Sequence, residues 1–146
     1  MANFLTVQTK AKNIKLSQVR KELFNFIRSI DQELIAYNVA TLNQDSQDVY
    51  GKAIGFYSRG TEVITNGRKK TGEPFDLEET GTFLDSIFVK VQGNSILFDN
   101  SDPKKKEVLQ NLLTEDVFGL QDVDLYKVVD ERLLPFLLNY YKSKLL

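Results

Sequence analysis

Between Ser17 and Ser46 the chain holds neither glycine nor proline, and apolar side chains recur at helical spacing: Val19, Leu23, Phe26, Ile27, Ile30, Leu34, Tyr37 and Leu42. Such a stretch predicts a long amphipathic helix whose apolar stripe must be laid against other elements. Ser17 is the expected N-cap. The rod would span about 40 Å at 1.5 Å per residue, with Ser29 as the place for a break. Residues 1–15, polar with scattered apolar positions, read as an extended arm.

The pattern then changes. Residues 43–76 carry glycine at 51, 55, 60, 67 and 72 and proline at 74. This predicts a long, irregular, partly extended connection, with 47–76 as a functional loop. Its basic tip is Arg68-Lys69-Lys70. Residues 77–99 read as the centre of a sheet. Leu77, Phe83 and Leu84 lead into Ile87, Val89 and Val91, which alternate with Phe88, Lys90 and Gln92. Gly93-Asn94 is a turn signal, and Ile96 and Phe98 form the return, giving a hairpin of 86–92 and 95–99. Pro103 starts a short helix over 103–111 with Asp102 as its cap. Gly119 breaks the chain. Asp122 then caps a final helix through Leu125, Val128, Val129, Leu133, Phe136, Leu137, Tyr140 and Tyr141. Pro135 lies inside that helix, removes one backbone hydrogen bond and should kink it near Glu131–Pro135. The expected fold is α+β: a small, mainly antiparallel sheet with long N-terminal and C-terminal helices packed on it. At 146 residues the chain suits a single domain, 1–146, able to bury most of its apolar surface.

Two absences narrow the chemistry. There is no cysteine, which excludes disulfides, thiolate metal sites and cysteine nucleophiles. There is no histidine either, so Ser-His-Asp catalysis and ordinary zinc sites go with it. An enzyme would have to work with Asp, Glu, Lys or Tyr alone, and the expectation is a protein that is not an enzyme and uses no cofactor or metal. No apolar run approaches the roughly 20 residues of a membrane span. The first residues lack the basic and apolar regions of a signal peptide, so folding in a cytoplasm is expected.

The net charge is −1, but it is segregated. Residues 1–28 carry Lys10, Lys12, Lys15, Arg20, Lys21 and Arg28 against Glu22, a net +5. Residues 114–131 carry Glu115, Asp116, Asp122, Asp124, Asp130 and Glu131 against Lys127, a net −5. The plain reading is that the two segments pair within one fold. The sharper one is that a subunit presents opposite signs to two neighbours, as a head-to-tail ring requires.

Other candidate chemistry is weak. Lys70-Thr71-Gly72 and Ser101-Asp-Pro-Lys104 match fragments of a serine β-lactamase signature, in reversed order and without the third motif. Asp99-Asn-Ser-Asp102 starts like a calcium loop but lacks its sixth-position glycine and closing glutamate, so an Asx-capped turn is the better reading. Glu78-Glu79 and Asp130-Glu131 are adjacent pairs that point to different faces. The runs Arg68–Lys70 and Lys104–Lys106 could meet phosphates, without interleaved aromatics.

The order of signals from residue 43 onward resembles the phage virion-morphogenesis, or tail-completion, family, which includes the Mu-type tail-completion proteins and neck or tail-terminator relatives. The likeness rests on Asp48-Val-Tyr-Gly51, then Ile54, Tyr57-Ser58 and Thr61. It continues with Leu77-Glu-Glu-Thr80-Gly81-Thr-Phe83-Leu84-Asp-Ser86-Ile87 and ends with Val117-Phe118-Gly119-Leu120-Gln-Asp122-Val-Asp124-Leu125. Phe83 stands where the family often has leucine. The insertion Arg68–Pro74 also occurs in relatives from gut-bacterial phages. The resemblance covers about two thirds of the chain. It implies a structural virion protein of a tailed phage, assembled in the host cytoplasm, that completes a tail or joins head to tail as part of a ring. Its implied partners are copies of itself and other tail or connector proteins, with weak, non-specific contact to DNA in a channel and none to a membrane. Candidate interface residues are Arg59, Arg68, Lys69, Lys70, Lys10, Lys12 and Lys15. Gly51, Tyr57, Thr61, Leu77, Thr80, Gly81, Ser86, Gly119 and Asp122 are expected to build the scaffold; Thr80-Gly81 reads as a tight turn. Two other readings stay open: a minor capsid or cargo protein of the virion, and a nucleic-acid-binding phage protein without sequence preference.

Overall fold

The stretch without glycine or proline is helical, as its spacing predicts, but it forms two helices. The computed structural model of the chain describes residues 3–55, 59–73, 81–111 and 115–146. They divide into two compact units: residues 1–30 with 124–146, and residues 31–123.

In the first unit, α1 (Phe4–Lys12) occupies the segment expected to be an extended arm. Asn3 starts it. Its side-chain oxygen accepts the Thr6 backbone N–H at 2.8 Å, satisfying one of the free donors at a helix start. The helix buries no residue, and its few apolar positions, Phe4, Leu5, Val7 and Ala11, are interleaved with polar ones. Lys10 and Lys12 lie in its last turn, where cations complement the negative end of the helix. α2 (Leu16–Ser29) begins one residue before Ser17. Its N-cap is Lys15, which makes no side-chain capping bond, so the serine sits inside the first turn rather than capping it. The helix stops at Ser29 with Ile30 as its C-cap, where the break was expected.

The C-terminal part starts with α7 (Asp122–Val128), which runs from the end of the second unit into the first. Asp122 is its first helical residue. A π-helical segment, Val129–Leu133, follows, and then α8 (Leu134–Leu145). Pro135 is the physical reason for this interruption: it has no N–H to offer the carbonyl of Glu131, four residues earlier. The ladder widens by one residue instead of breaking. α8 packs with α1 and α2. Phe26 and Phe136 stack with centroids 4.5 Å apart and planes within 8°, and Val19, Ile27 and Val128 are buried.

In the second unit, α3 (Asp31–Asn43) packs on strand β1 (Ile87–Gln92). Asp31 and Glu33 occupy its first turn, where acids complement the positive end. β1 pairs antiparallel with β2 (Ser95–Asn100), from Ile87 opposite Asn100 to Gln92 opposite Ser95. The expected hairpin is therefore present, with β1 one residue shorter and β2 one residue longer. Gly93 takes a φ of +61° in the two-residue turn. Two short helices come earlier: α4 (Arg59–Ile64) and α5 (Gly81–Asp85). Phe83 and Leu84, read as the approach to a strand, lie on α5. Gly81 opens that helix; Thr80 and Leu77 lie outside the described residues. α6 (Lys105–Asn111) follows Pro103. The helix begins at Lys105, two residues later than expected, and Asp102 caps the turn that leads into it: its side-chain oxygen accepts Lys104 N–H at 2.8 Å and its carbonyl accepts Lys105 N–H at 2.9 Å.

The core of this unit is Leu42, Phe83, Leu84, Ile87, Val108 and Val117, flanked by Ile35, Val39, Ile54, Leu109 and Phe118. It gathers side chains from α3, α5, β1, α6 and the 3₁₀ turn Glu115–Val117. The fold class is α+β, and the described sheet is a two-stranded antiparallel hairpin.

Candidate assembly surface and basic cleft

Two of the segments singled out in the sequence, Asp48–Gly51 and Val117–Leu125, meet as a structural joint. In Asp48-Val-Tyr-Gly51 the Asp48 carboxylate accepts the backbone N–H groups of Tyr50 and Lys52, both at 2.9 Å, and Gly51 takes a φ of +79° to close the turn. Val117–Gln121 is stitched to this turn. Val49 N–H donates to the Asp116 carbonyl at 2.9 Å, and the Gln121 amide donates to the Gln47 side chain and the Asp48 carbonyl, both at 3.0 Å. Gly119 has a φ of +139°, and a Cβ there would stand 3.2 Å from a methyl of Val49. Only glycine fits both demands. The Ser86 carbonyl accepts the Ser101 backbone N–H at 3.0 Å, tying the end of α5 to the end of β2. Thr61 lies within α4; Tyr57 lies outside the described residues.

The Asp99–Asp102 segment is an Asx turn. The Asn100 side-chain oxygen accepts Asp102 N–H at 2.7 Å, and its amide donates to the Phe83 carbonyl at 2.6 Å. Asp99 accepts a hydrogen bond from the Lys105 ammonium, which also lies 3.8 Å from Glu115 and 5.7 Å from the Phe118 ring centroid. That hydrogen bond is the main reason the Asp99 carboxyl is held below its ordinary value of 3.8; partial burial opposes the shift and the Asn100 N–H adds to it. A depressed carboxyl contributes stability above its ordinary value and loses it as pH falls through the folded value. Asp99→Asn is therefore expected to destabilise the protein at neutral pH, and the difference from wild type should close as pH drops below about 4. Urea unfolding midpoints across a pH series measure this. A difference that stays constant with pH would rule out the ionised pair as its source.

The loop after α4 is ordered by Glu62. Its carboxylate accepts the Thr71 backbone N–H at 3.0 Å and the Thr71 hydroxyl, and these bonds lower its pKa. Thr71 is thereby accounted for as a loop fastener. Arg59 opens α4 and is exposed, as are Arg68 and Lys70. Lys69 is buried, with 6% of its surface accessible, so the basic tip offers two exposed cations in place of three.

The N-terminal lysines are placed differently. A cleft of about 320 Å³ in the first unit is lined by Lys10, Asn13, Ile14, Lys15, Gln18, Tyr140 and Lys144. The Lys144 ammonium lies 5.6 Å from the Tyr140 ring centroid. No carboxylate is among the lining residues, though Glu22 stands behind Gln18 and accepts its amide at 3.0 Å. Among the described residues, Lys10, Lys12, Lys15, Arg20 and Lys21 form no ion pair, so these cations are not neutralised by the acidic segment. Sequence reasoning had no route to Tyr140 and Lys144 as partners of Lys10 and Lys15. Their i, i+4 spacing on a helix was visible, but the meeting of α8 with the α1–α2 turn is tertiary. Comparison of the chain with family models, with curated proteins and with solved structures finds no match, so its own residues and geometry carry the functional argument.

Proposed function

We propose that this chain is a structural virion protein of a tailed phage, of the tail-completion or neck type, that acts by assembling with copies of itself and with neighbouring tail or connector proteins. The observation that supports this most directly is the surface of the first unit. It exposes large apolar side chains, among them Phe4, Leu5, Leu16, Leu134 and Leu138, together with lysines that have no acidic partner. Leu134 and Leu138 lie one turn apart on α8. Single exposed apolar residues are ordinary; several large ones in one unit, with charges that no internal partner neutralises, are what a contact surface can use.

The test is location. Immunogold labelling of intact virions of the phage that encodes this chain is expected to place it at the head–tail junction or the tail end. Label over the head shell, or absence of the protein from purified particles, would overturn the proposal. In the same system, deletion of residues 64–74 is expected to reduce the yield of joined particles; unchanged assembly would refute a role for the loop.

A further inference from the structure

The cleft at the α1–α2 turn brings three ammonium groups into one small volume with no opposing carboxylate in its lining, and the fold gives no internal reason for all of them. Lys10 and Lys144 lie in the last turns of α1 and α8, where a cation offsets the helix end. Lys15 does not. It stands at the N-cap of α2, beside the positive end of a helix that has no acidic residue in its first turn. A cation there is locally unfavourable, and the other charged side chains that line the cleft, Lys10 and Lys144, are cations too. Such an arrangement is stabilised when an anion from outside enters.

We infer that this cleft is a binding site for phosphate groups, and that the phosphodiester backbone of a nucleic acid strand is its occupant. The charged lining residues are all lysines, which bind phosphate oxygens as point charges and follow a flexible backbone without demanding the fixed bidentate geometry of arginine. Asn13 and Gln18 bring side-chain amides, and Tyr140 and Ile14 form an apolar wall beside the charges. The volume, about 320 Å³, is at the small end of the range for ligand sites and suits a nucleotide unit better than a folded segment of protein. The inference does not depend on where the protein sits in a virion.

The experiment is fluorescence anisotropy with a short labelled single-stranded DNA, titrated between about 50 and about 200 mM salt. Wild-type protein is expected to bind, with affinity falling steeply as salt rises. In the triple variant Lys10→Gln, Lys15→Gln, Lys144→Gln the log–log salt slope should be shallower by about 2, because three phosphate contacts on a single strand are lost. A second triple variant, Lys52→Gln, Lys90→Gln, Lys127→Gln, removes three exposed lysines elsewhere and should keep the wild-type slope. Equal losses in both, or none in the first, would overturn the site. A third variant, Lys10→Arg, Lys15→Arg, Lys144→Arg, should retain binding, which separates charge from a folding defect. On wild-type protein, NMR of the side-chain amides with tripolyphosphate as probe should move Asn13 and Gln18; if these two stay still while others shift, the cleft is not the site. Shifts with tripolyphosphate but no binding of DNA would overturn the nucleic-acid assignment and leave a site for free phosphates.

Discussion

Replacing Phe83 with alanine is expected to lower the thermal unfolding midpoint by roughly 10–15 °C, corresponding to about 3–5 kcal/mol. Phe83 is fully buried at the centre of the second unit, packed with Leu42, Leu84, Ile87, Val108 and Val117. Its ring lies 6.0 Å from that of Phe118, tilted by 32°. Truncation removes the largest wholly buried side chain and leaves a cavity between a helix, a hairpin and a loop that are each held by other bonds. The Phe83 carbonyl is one such tie, since it accepts the Asn100 amide. The site therefore collapses poorly, which places the cost toward the upper end. Phe83→Leu keeps most of the apolar volume and should cost much less. Circular dichroism melts of both variants measure the pair. A shift of only about 2–3 °C for alanine would mean the ring is not packed as described.

What could be read from sequence follows from where the information lies. The hairpin was legible because alternation and Gly93-Asn94 are local signals, and β1 and β2 are neighbours in the chain. The helix over residues 17–43 was legible in kind, and even its break at Ser29–Ile30 was anticipated. The start of α2 was misplaced because Lys15 stands at a position where sequence rules favour serine; the departure coincides with the basic cleft. α1 is short and interleaves its apolar residues with polar ones, a weak signal that reads equally well as an extended arm. The interruption at Pro135 was foreseen from the missing N–H, but not that it would take the form of a π segment, which depends on how the preceding turn relaxes. Among the candidate basic residues, charge alone did not separate exposed Arg68 and Lys70 from buried Lys69. Nor did it show that Lys10 and Lys15 share a cleft while Lys12 does not line it. These distinctions are tertiary, and a one-dimensional pattern does not carry them.

The second large effect concerns a polar residue on an apolar stripe. Leu34, Asn38 and Leu42 follow one another at four-residue spacing on α3, and all three are buried, Asn38 completely. Its amide nitrogen donates to the Val117 carbonyl at 2.8 Å, and its oxygen accepts the Gly119 N–H at 3.4 Å. One side chain thus satisfies a donor and an acceptor of the 3₁₀-turn corner that would otherwise be buried against a helix. Asn38→Asp changes almost no volume but turns the donor into a second acceptor facing the Val117 oxygen. Ionised, it is a buried charge without a counter-ion, and the expected loss is about 3–5 kcal/mol at neutral pH. Protonated, the acid can donate to the carbonyl much as the amide did. Its folded pKa must then lie above its unfolded one, near 3.9. The folded state binds more protons between those two values, so stability of the variant falls as pH rises through that window and is recovered below it. Asn38→Leu is the control. It leaves the carbonyl and the N–H both unsatisfied, at about 1–3 kcal/mol each, with no pH dependence of its own. Urea titrations at acid and neutral pH should therefore show the aspartate variant gaining on the leucine variant as acid is added. Parallel behaviour of the two would mean that water or a shifted backbone reaches Asn38, and that the joint between α3 and the Val117–Gly119 corner is looser than these bonds require.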